Sequence, residues 1–185
     1  IFLDKRLRAC EIFCNFAGQM KIIGFSKIGN EIKMVLKCDS SLLVNRKPFF
    51  LPDWSSDIRM TPCVVLRVCK LGKNIAPRFA HRYFDSIAPG LNIQAADWLA
   101  KGDSVRGWAF DYSLPMGSFV ETAHWPSANT IISYEEAIQR ASEVMTLRQG
   151  DLIFIDREEE ERPLVKEEVI TYELNNNELL YCKIK

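Results

Sequence analysis

The sequence predicts a mainly β fold with a few helices, an α+β class, and three observations carry that expectation. Short apolar runs bounded by turn-forming residues recur along residues 20–185. Within those residues, helical spacing of apolar residues occurs in only two stretches. The chain ends in two strand-like segments separated by Asn175, Asn176 and Asn177. With 185 residues, 48% hydrophobic and 26% charged, the composition suits one folded domain and excludes a disordered chain.

The first nineteen residues stand apart. Ile1 to Leu3 are apolar, but Asp4, Lys5, Arg6 and Arg8 follow at once, so no uninterrupted apolar core of a secretory signal forms. Acidic Asp4 and Glu11 argue against a mitochondrial presequence. Leu3, Leu7, Cys10 and Cys14 could share one face of a short helix, yet Met20 opens a strand-like run that reads as a natural start. Residues 1–19 are therefore expected to be an extension or translated leader outside the fold, and 20–185 a single domain. Position 1 is not methionine, which fits a fragment.

From Met20 the elements follow in order. Residues 20–24, 33–37 and 40–44 are short strand candidates, and Asn45-Arg46-Lys47-Pro48 is a turn with proline as the breaker. Phe49, Phe50 and Leu51 continue extended to Pro52. The strongest strand is 63–70, continuous in apolar residues at its start, which places it near a sheet centre. Phe79, Tyr83, Phe84 and Ile87 share a helical face, so the spacing predicts a helix over 79–87 that stops before Pro89-Gly90.

A second helix is better signed. Ser133 as N-cap with Glu136 three residues on forms a capping box, and Tyr134, Ala137, Ile138, Ala141, Val144 and Met145 make the buried stripe. Gly150-Asp151 then leads into a buried strand at 152–155. The charge run Arg157-Glu158-Glu159-Glu160-Glu161-Arg162 reads as a solvated loop, because adjacent carboxylates repel. Residues 169–174 and 179–184 form a terminal hairpin.

Charge and cysteine usage exclude several functions. Lys plus Arg equals Asp plus Glu at 24 each, leaving no global field to draw nucleic acid or anionic lipid. No run of ~18 apolar residues is long enough for a conventional transmembrane helix. Cys10, Cys14, Cys38, Cys63, Cys69 and Cys182 lack zinc or disulfide-scaffold spacing. They read as free thiols, so a soluble cytoplasmic protein is expected. His81 and His124 belong to no metal-ligand pattern, and no phosphate loop, dinucleotide turn or nucleophile elbow is present.

Four segments nevertheless carry a resemblance. Asp39-Ser40-Ser41-Leu42-Leu43-Val44-Asn45-Arg46-Lys47-Pro48-Phe49-Phe50-Leu51-Pro52-Asp53, Leu71-Gly72-Lys73-Asn74-Ile75 and Phe79-Ala80-His81-Arg82-Tyr83 resemble the fumarylacetoacetate hydrolase family, especially its short bacterial members. Gly150-Asp151-Leu152-Ile153-Phe154 resembles the strand before that family's late TGTP segment. The resemblance implies a mixed β-roll, commonly dimeric, whose enzymes use Mg²⁺ or Mn²⁺ to hold a keto-acid before cleavage, decarboxylation or isomerisation.

The same resemblance implies a degenerate and shortened member. Thr61 and Cys63 fall where the family has its two glutamate ligands, and Asn92 where it has an aspartate. Trp108 falls at the family's lysine, and Asn30 near its early histidine. Ile155-Asp156-Arg157-Glu158 replaces TGTP, and residues 117–133 are shorter than in active relatives. A hydroxyl, a thiol and an amide are poor ligands for hard cations, so no metal cofactor is expected. The expected protein is a non-catalytic homodimer. The alternative is a hydrolase, isomerase or decarboxylase of a small keto-acid working through new groups, with Asp97, Asp111, His81, Cys63 and Arg59 as candidates.

Overall fold

A computed structural model describes residues 20–44 and 46–185. The extension proposed at 1–19 and residue Asn45 of the predicted turn lie outside the described residues.

The chain opens with β1 (Ile22–Ile28) and β2 (Glu31–Lys37), joined through Gly29 and Asn30. A 3-10 turn at Asp39–Ser41 leads to the two-residue β3 (Leu42–Leu43). Then come β4 (Ile58–Val68), a 3-10 helix at Pro77–Arg82 and β5 (Phe84–Ala95). Two short helices follow, α1 (Ala96–Ala100) and α2 (Ser104–Trp108), then β6 (Leu114–Pro115) and β7 (Val120–Glu121). The last elements are α3 (Tyr134–Val144), β8 (Leu152–Asp156), β9 (Arg162–Pro163), β10 (Val169–Leu174) and β11 (Asn177–Lys183).

Six strands form the main sheet path in the order β2-β1-β8-β4-β5-β7, and β9 pairs with β4 off that path. Only the β1–β8 pairing in it is parallel, and the neighbouring pairs are antiparallel. The mainly β, α+β expectation is therefore met. The fully buried strand at 152–155 is β8, and the strand read at 63–70 is the C-terminal half of β4, which begins earlier at Ile58, ends at Val68 and lies between β8 and β5.

The predicted helix at 79–87 is wrong. Only Pro77–Arg82 turns, as a 3-10 helix with proline in its first turn, and Phe84 already begins β5. The helical spacing of Phe84 and Ile87 is overridden by pairing with β4, which runs from Ile58↔Ala95 to Val68↔Phe84. Pro89-Gly90 does not stop the chain, because Pro89 takes part as an acceptor only, its carbonyl receiving the Gly117 amide at 2.9 Å, while β7 pairs with β5 at Ser86 and Ile87.

Helix α3 forms as the capping signal predicts, with Ser133 Oγ accepting from the Glu136 amide at 3.1 Å. Its buried residues Ala137, Ile138 and Ala141 pack with Ala80, Phe84 and Ile87 over one sheet face, together with Val64, Leu66 and Ile153. The terminal hairpin also forms, turning through Asn175 and Asn176 at φ of 51° and 62°. It is tied back by the Phe49 amide donating to the Lys183 carbonyl at 2.9 Å.

Alternation along the strands decides which residues share a face. Ile22, Cys63, Val65, Ala88, Leu152 and Phe154 pack on the face opposite α3, with Trp108 and Leu114. Continuing the same parity places Ser26, Lys37, Thr61, Asn92 and Asp156 on that second face. These are the buried polar residues from which the site is built.

Candidate functional site

Five neighbouring strands deliver the site: Ser26 from β1, Lys37 from β2, Thr61 and Cys63 from β4, Asn92 from β5 and Asp156 from β8. Register fixes their neighbourhood, because Thr61 lies opposite Asn92 and Cys63 opposite both Gly90 and Asp156. Asn92 Nδ2 donates to Asp156 Oδ1 at 2.9 Å and to Ser26 Oγ at 3.2 Å. Ser26 Oγ–H in turn donates to Asp156 Oδ2. Both carboxylate oxygens are thus occupied within the protein. Asn92 Oδ1 is buried with no hydrogen-bond partner among the described residues.

Lys37 supplies the site's cation. Its Nζ donates to Ile93 O at 2.8 Å, Trp108 O at 3.0 Å and Ser113 Oγ at 3.0 Å, so each ammonium proton has an acceptor. It also lies 5.7 Å from the Trp108 ring centroid and 5.8 Å from that of Phe154. Burial nevertheless pulls its pKa down to about 7, against the nearby Cys63 and Asp156, which favour the charge. Burial pushes Asp156 up to about 7, opposed by its bonds from Ser26 and Asn92 and by Lys37. The Cys63 thiol is driven well above its ordinary value by burial and by the Asp156 charge, which makes it a poor nucleophile.

The polar face opens into a cleft of about 840 Å³ lined by Asn30, Thr61, Gln94 and Asp156 and rimmed by Glu158 to Glu161. The glutamate run is exposed, as expected of a solvated segment, but it also borders this cleft. Arg59 Nη1 reaches Glu161 at 3.1 Å while its Nε holds Asp57 at 2.9 Å.

The structure gathers Thr61, Cys63 and Asn92 into one place and sets Asn30 at the cleft rim. Trp108 is buried beside them, offering its carbonyl oxygen to Lys37. The candidate groups for altered chemistry do not converge. His81 is exposed on the 3-10 helix whose Ala80 packs with α3, on the sheet face away from Cys63. Asp111 is exposed, and Asp97 accepts from Ser55 Oγ at 2.6 Å on α1.

Lys37, Asp156 and Ser26 were not among the residues singled out from sequence. A signal for Asp156 existed: it continues the parity of buried Leu152 and Phe154 by one more step. None existed for Lys37, because alternation with Glu31 and Lys33 makes its face of β2 look solvated.

The donor set does not fit a hard divalent cation. Mg²⁺ and Mn²⁺ favour charged oxygen ligands, and the three positions implied by resemblance present a hydroxyl, a protonated thiol and an amide. The one buried carboxylate beside them already accepts from Asn92 and Ser26 and takes up a proton near neutrality.

No protein-family model and no curated protein sequence matches the chain. Solved structures do. A fumarylpyruvate hydrolase from Pseudomonas aeruginosa in complex with Mn²⁺ and pyruvate superposes at a TM-score of 0.78 with 16% identity, over 92% of this chain and 93% of that one. A protein from Yersinia pestis CO92 described as of the fumarylacetoacetate hydrolase family gives 0.76 and 17%, over 90% and 92%. A 5-carboxymethyl-2-hydroxymuconate delta-isomerase from Mycobacterium smegmatis gives 0.72 and 16%, over 89% and 78%. The chain therefore has the fold shared by these proteins.

Proposed function

We propose that this chain is a member of the fumarylacetoacetate hydrolase family that keeps the fold and cleft but not the metal-dependent keto-acid chemistry. The fold likeness and the quoted sequence segments support membership. One observation carries the loss of chemistry: Asp156, the buried carboxylate nearest Thr61, Cys63 and Asn92, is held by Asn92 and Ser26 instead of being free to bind a cation. The test is titration with Mg²⁺ and Mn²⁺ by calorimetry, with keto-acid turnover assayed in the same samples. No heat of binding and no turnover is expected, and metal-dependent turnover of a keto-acid overturns the reading.

A second reading has its own support. Asp156 lines a cleft large enough for a small acid, and its carboxyl, raised by burial to about 7, suits proton transfer at neutral pH. In this reading the chain is a hydrolase, isomerase or decarboxylase of a small keto-acid, with Asp156 as the acid–base group. Metal-independent turnover lost in Asp156→Asn would favour it.

A homodimer in the cytoplasm is part of the proposal. No helix among the described residues is long and apolar enough to cross a membrane. The outer strand β2 leaves one edge of the sheet unpaired and exposes Leu36 on it. Sedimentation at micromolar concentration should give twice the monomer mass, and a clean monomer counts against the dimer.

A further inference from the structure

Charge is segregated along this neutral chain. Between Asp57 and Asp85 the sequence has no acidic residue, yet residues 69–83 carry Lys70, Lys73, Arg78 and Arg82. All four are exposed. Carboxylates on the neighbouring elements are committed elsewhere: Asp85 pairs with Arg67 at 3.1 Å, Glu136 pairs with Arg140, and the Glu143 carboxylate accepts from Gln139 Nε2 at 2.9 Å.

Backbone bonds gather these cations at one end of the α3 layer. The Cys69 amide donates to Tyr83 O at 2.9 Å, and Gly72 and Leu147 exchange both backbone bonds, at 3.0 and 2.8 Å. Lys73 Nζ donates to Glu143 O at 2.8 Å, near the C-terminus of α3. Residues 69–73 are thus held between the end of the 3-10 helix and the end of α3. Aliphatic side chains stand exposed among the cations. Leu71, between Lys70 and Lys73, is 66% exposed. Val144, placed in the buried stripe by helical spacing, is 61% exposed, because α3 ends there and the chain turns extended at Met145.

Cations around exposed aliphatic side chains match an anionic lipid surface, whose headgroups take the charges while its interface takes the apolar tips. Single-stranded nucleic acid fits less well, because it needs free aromatic faces on which bases stack. Phe79 is the exposed ring of the patch, and the guanidinium groups of Arg78 and Arg82 already lie over it, 4.7 and 5.2 Å from its centroid. The chain's zero net charge gives no long-range pull, but screening over ~8 Å leaves a local patch to act at contact.

We propose that this end of the chain docks peripherally on an anionic phospholipid surface, with Lys70, Lys73, Arg78 and Arg82 on the headgroups and Leu71 and Val144 entering the interface. The docked face is remote from the cleft. β4 carries Thr61 at the cleft and reaches Val68 beside the patch, a span of about 23 Å at ~3.3 Å per residue. The cleft therefore stays open in the docked protein, whether or not it binds a keto-acid.

The test is co-sedimentation of the whole chain with vesicles of phosphatidylcholine alone and with vesicles of equal parts phosphatidylcholine and phosphatidylserine. Only the second should bind it, and added salt should weaken the binding. Lys70→Gln with Arg78→Gln should lower partitioning roughly 25-fold, about fivefold for each cation. Lys47→Gln with Lys166→Gln, at exposed cations beside the terminal hairpin, removes the same net charge and should change little. Leu71→Ser, which alters no charge, should weaken binding about tenfold, the low end for burying a leucine side chain. All five positions are exposed, and an unchanged melting temperature checks that each variant is folded. The proposal is overturned if both vesicles bind alike or neither binds, if the two double variants behave alike, if Leu71→Ser binds as the parent does, or if a single-stranded oligonucleotide displaces the chain from the vesicles.

Discussion

Asn92 Nδ2 donates to Asp156 Oδ1 at 2.9 Å across an intervening strand. β5 and β8 are not neighbours, since β4 lies between them, so this bond passes over β4 between the partner positions of Thr61 and Cys63. The amide and the carboxylate thereby close the polar face where separate charged ligands would have to diverge toward a cation. Ser26 adds the outer strand β1 to the same network.

The first prediction concerns the Asp156 carboxyl, raised from 3.8 to about 7 chiefly by burial. Between these values the folded chain keeps a proton that the unfolded chain has released. Its contribution to stability is thus full below the unfolded value and is lost as pH rises toward 7, with a slope of at most about 1.4 kcal/mol per pH unit. Asp156→Asn keeps the shape and the acceptor for Asn92 while removing the titration. Chemical denaturation at stepped pH should show the parent losing stability relative to the variant from roughly pH 4 to 7. Parallel curves would show that Asp156 ionises normally.

Lys37 titrates with the opposite sign. Its pKa falls from 10.5 to about 7 through burial, so the folded chain gives up a proton that the unfolded chain keeps. Its contribution is present above the unfolded value and is lost as pH falls through 7, so stability should rise from pH 7 towards 10. Lys37→Met should abolish that rise. Near neutrality it should also cost ~2–4 kcal/mol, because Ile93 O and Ser113 Oγ lose the Lys37 donor in a buried place and Trp108 O keeps only the bond from Ser113 Oγ. A variant as stable as the parent, with the rise intact, would remove Lys37 from the account.

Legibility in the sequence followed how local each signal was. Ser133 with Glu136 and the pair Asn175-Asn176 act within a few residues, so α3 and the terminal hairpin were readable. Phe84 and Ile87 were misread as helical because their strand is dictated by β4, some twenty residues away in sequence. At the site, Thr61, Cys63 and Asn92 were placed by resemblance, and register shows that they adjoin. Lys37 carries no local signal because burying its charge depends on what covers it, here Trp108 and Phe154, whereas Asp156 is legible only by carrying the parity of Leu152 and Phe154 one step further.

A third prediction tests the sheet beneath the site. Gly24 pairs with Phe154 across the parallel β1–β8 ladder, and a Cβ added there would fall within the Phe154 ring. Gly24→Ala should therefore destabilise by ~3 kcal/mol, the upper end for overpacking, or lower the melting temperature by ~6–12 °C. Gly24→Ala combined with Phe154→Leu should recover part of that loss, because the two residues touch and couple. Strict additivity in this double-mutant cycle would mean that the ring is not what excludes the methyl group.

The last prediction asks whether ligand chemistry alone separates this cleft from a metal site. The parent should show no rise in melting temperature with millimolar Mg²⁺ or Mn²⁺. Thr61→Glu, Cys63→Glu and Asn92→Asp restore three carboxylates, but Asn92→Asp would set one of them against Asp156, so Asp156→Gly must accompany them. Without metal, this fourfold variant should be less stable than the parent, since clustered carboxylates repel and Ser26 loses its acceptor. A metal at one hundred times its dissociation constant stabilises by ~2.7 kcal/mol. For a chain of this size that corresponds to ~5–10 °C, so the variant should gain about that much on adding metal and lose it to a chelator. If the unmodified chain already melts several degrees higher with Mg²⁺, then Asn92 and Asp156 must part to admit the ion. The bond between them would then be a resting state of a metal site and no longer a sign of its loss.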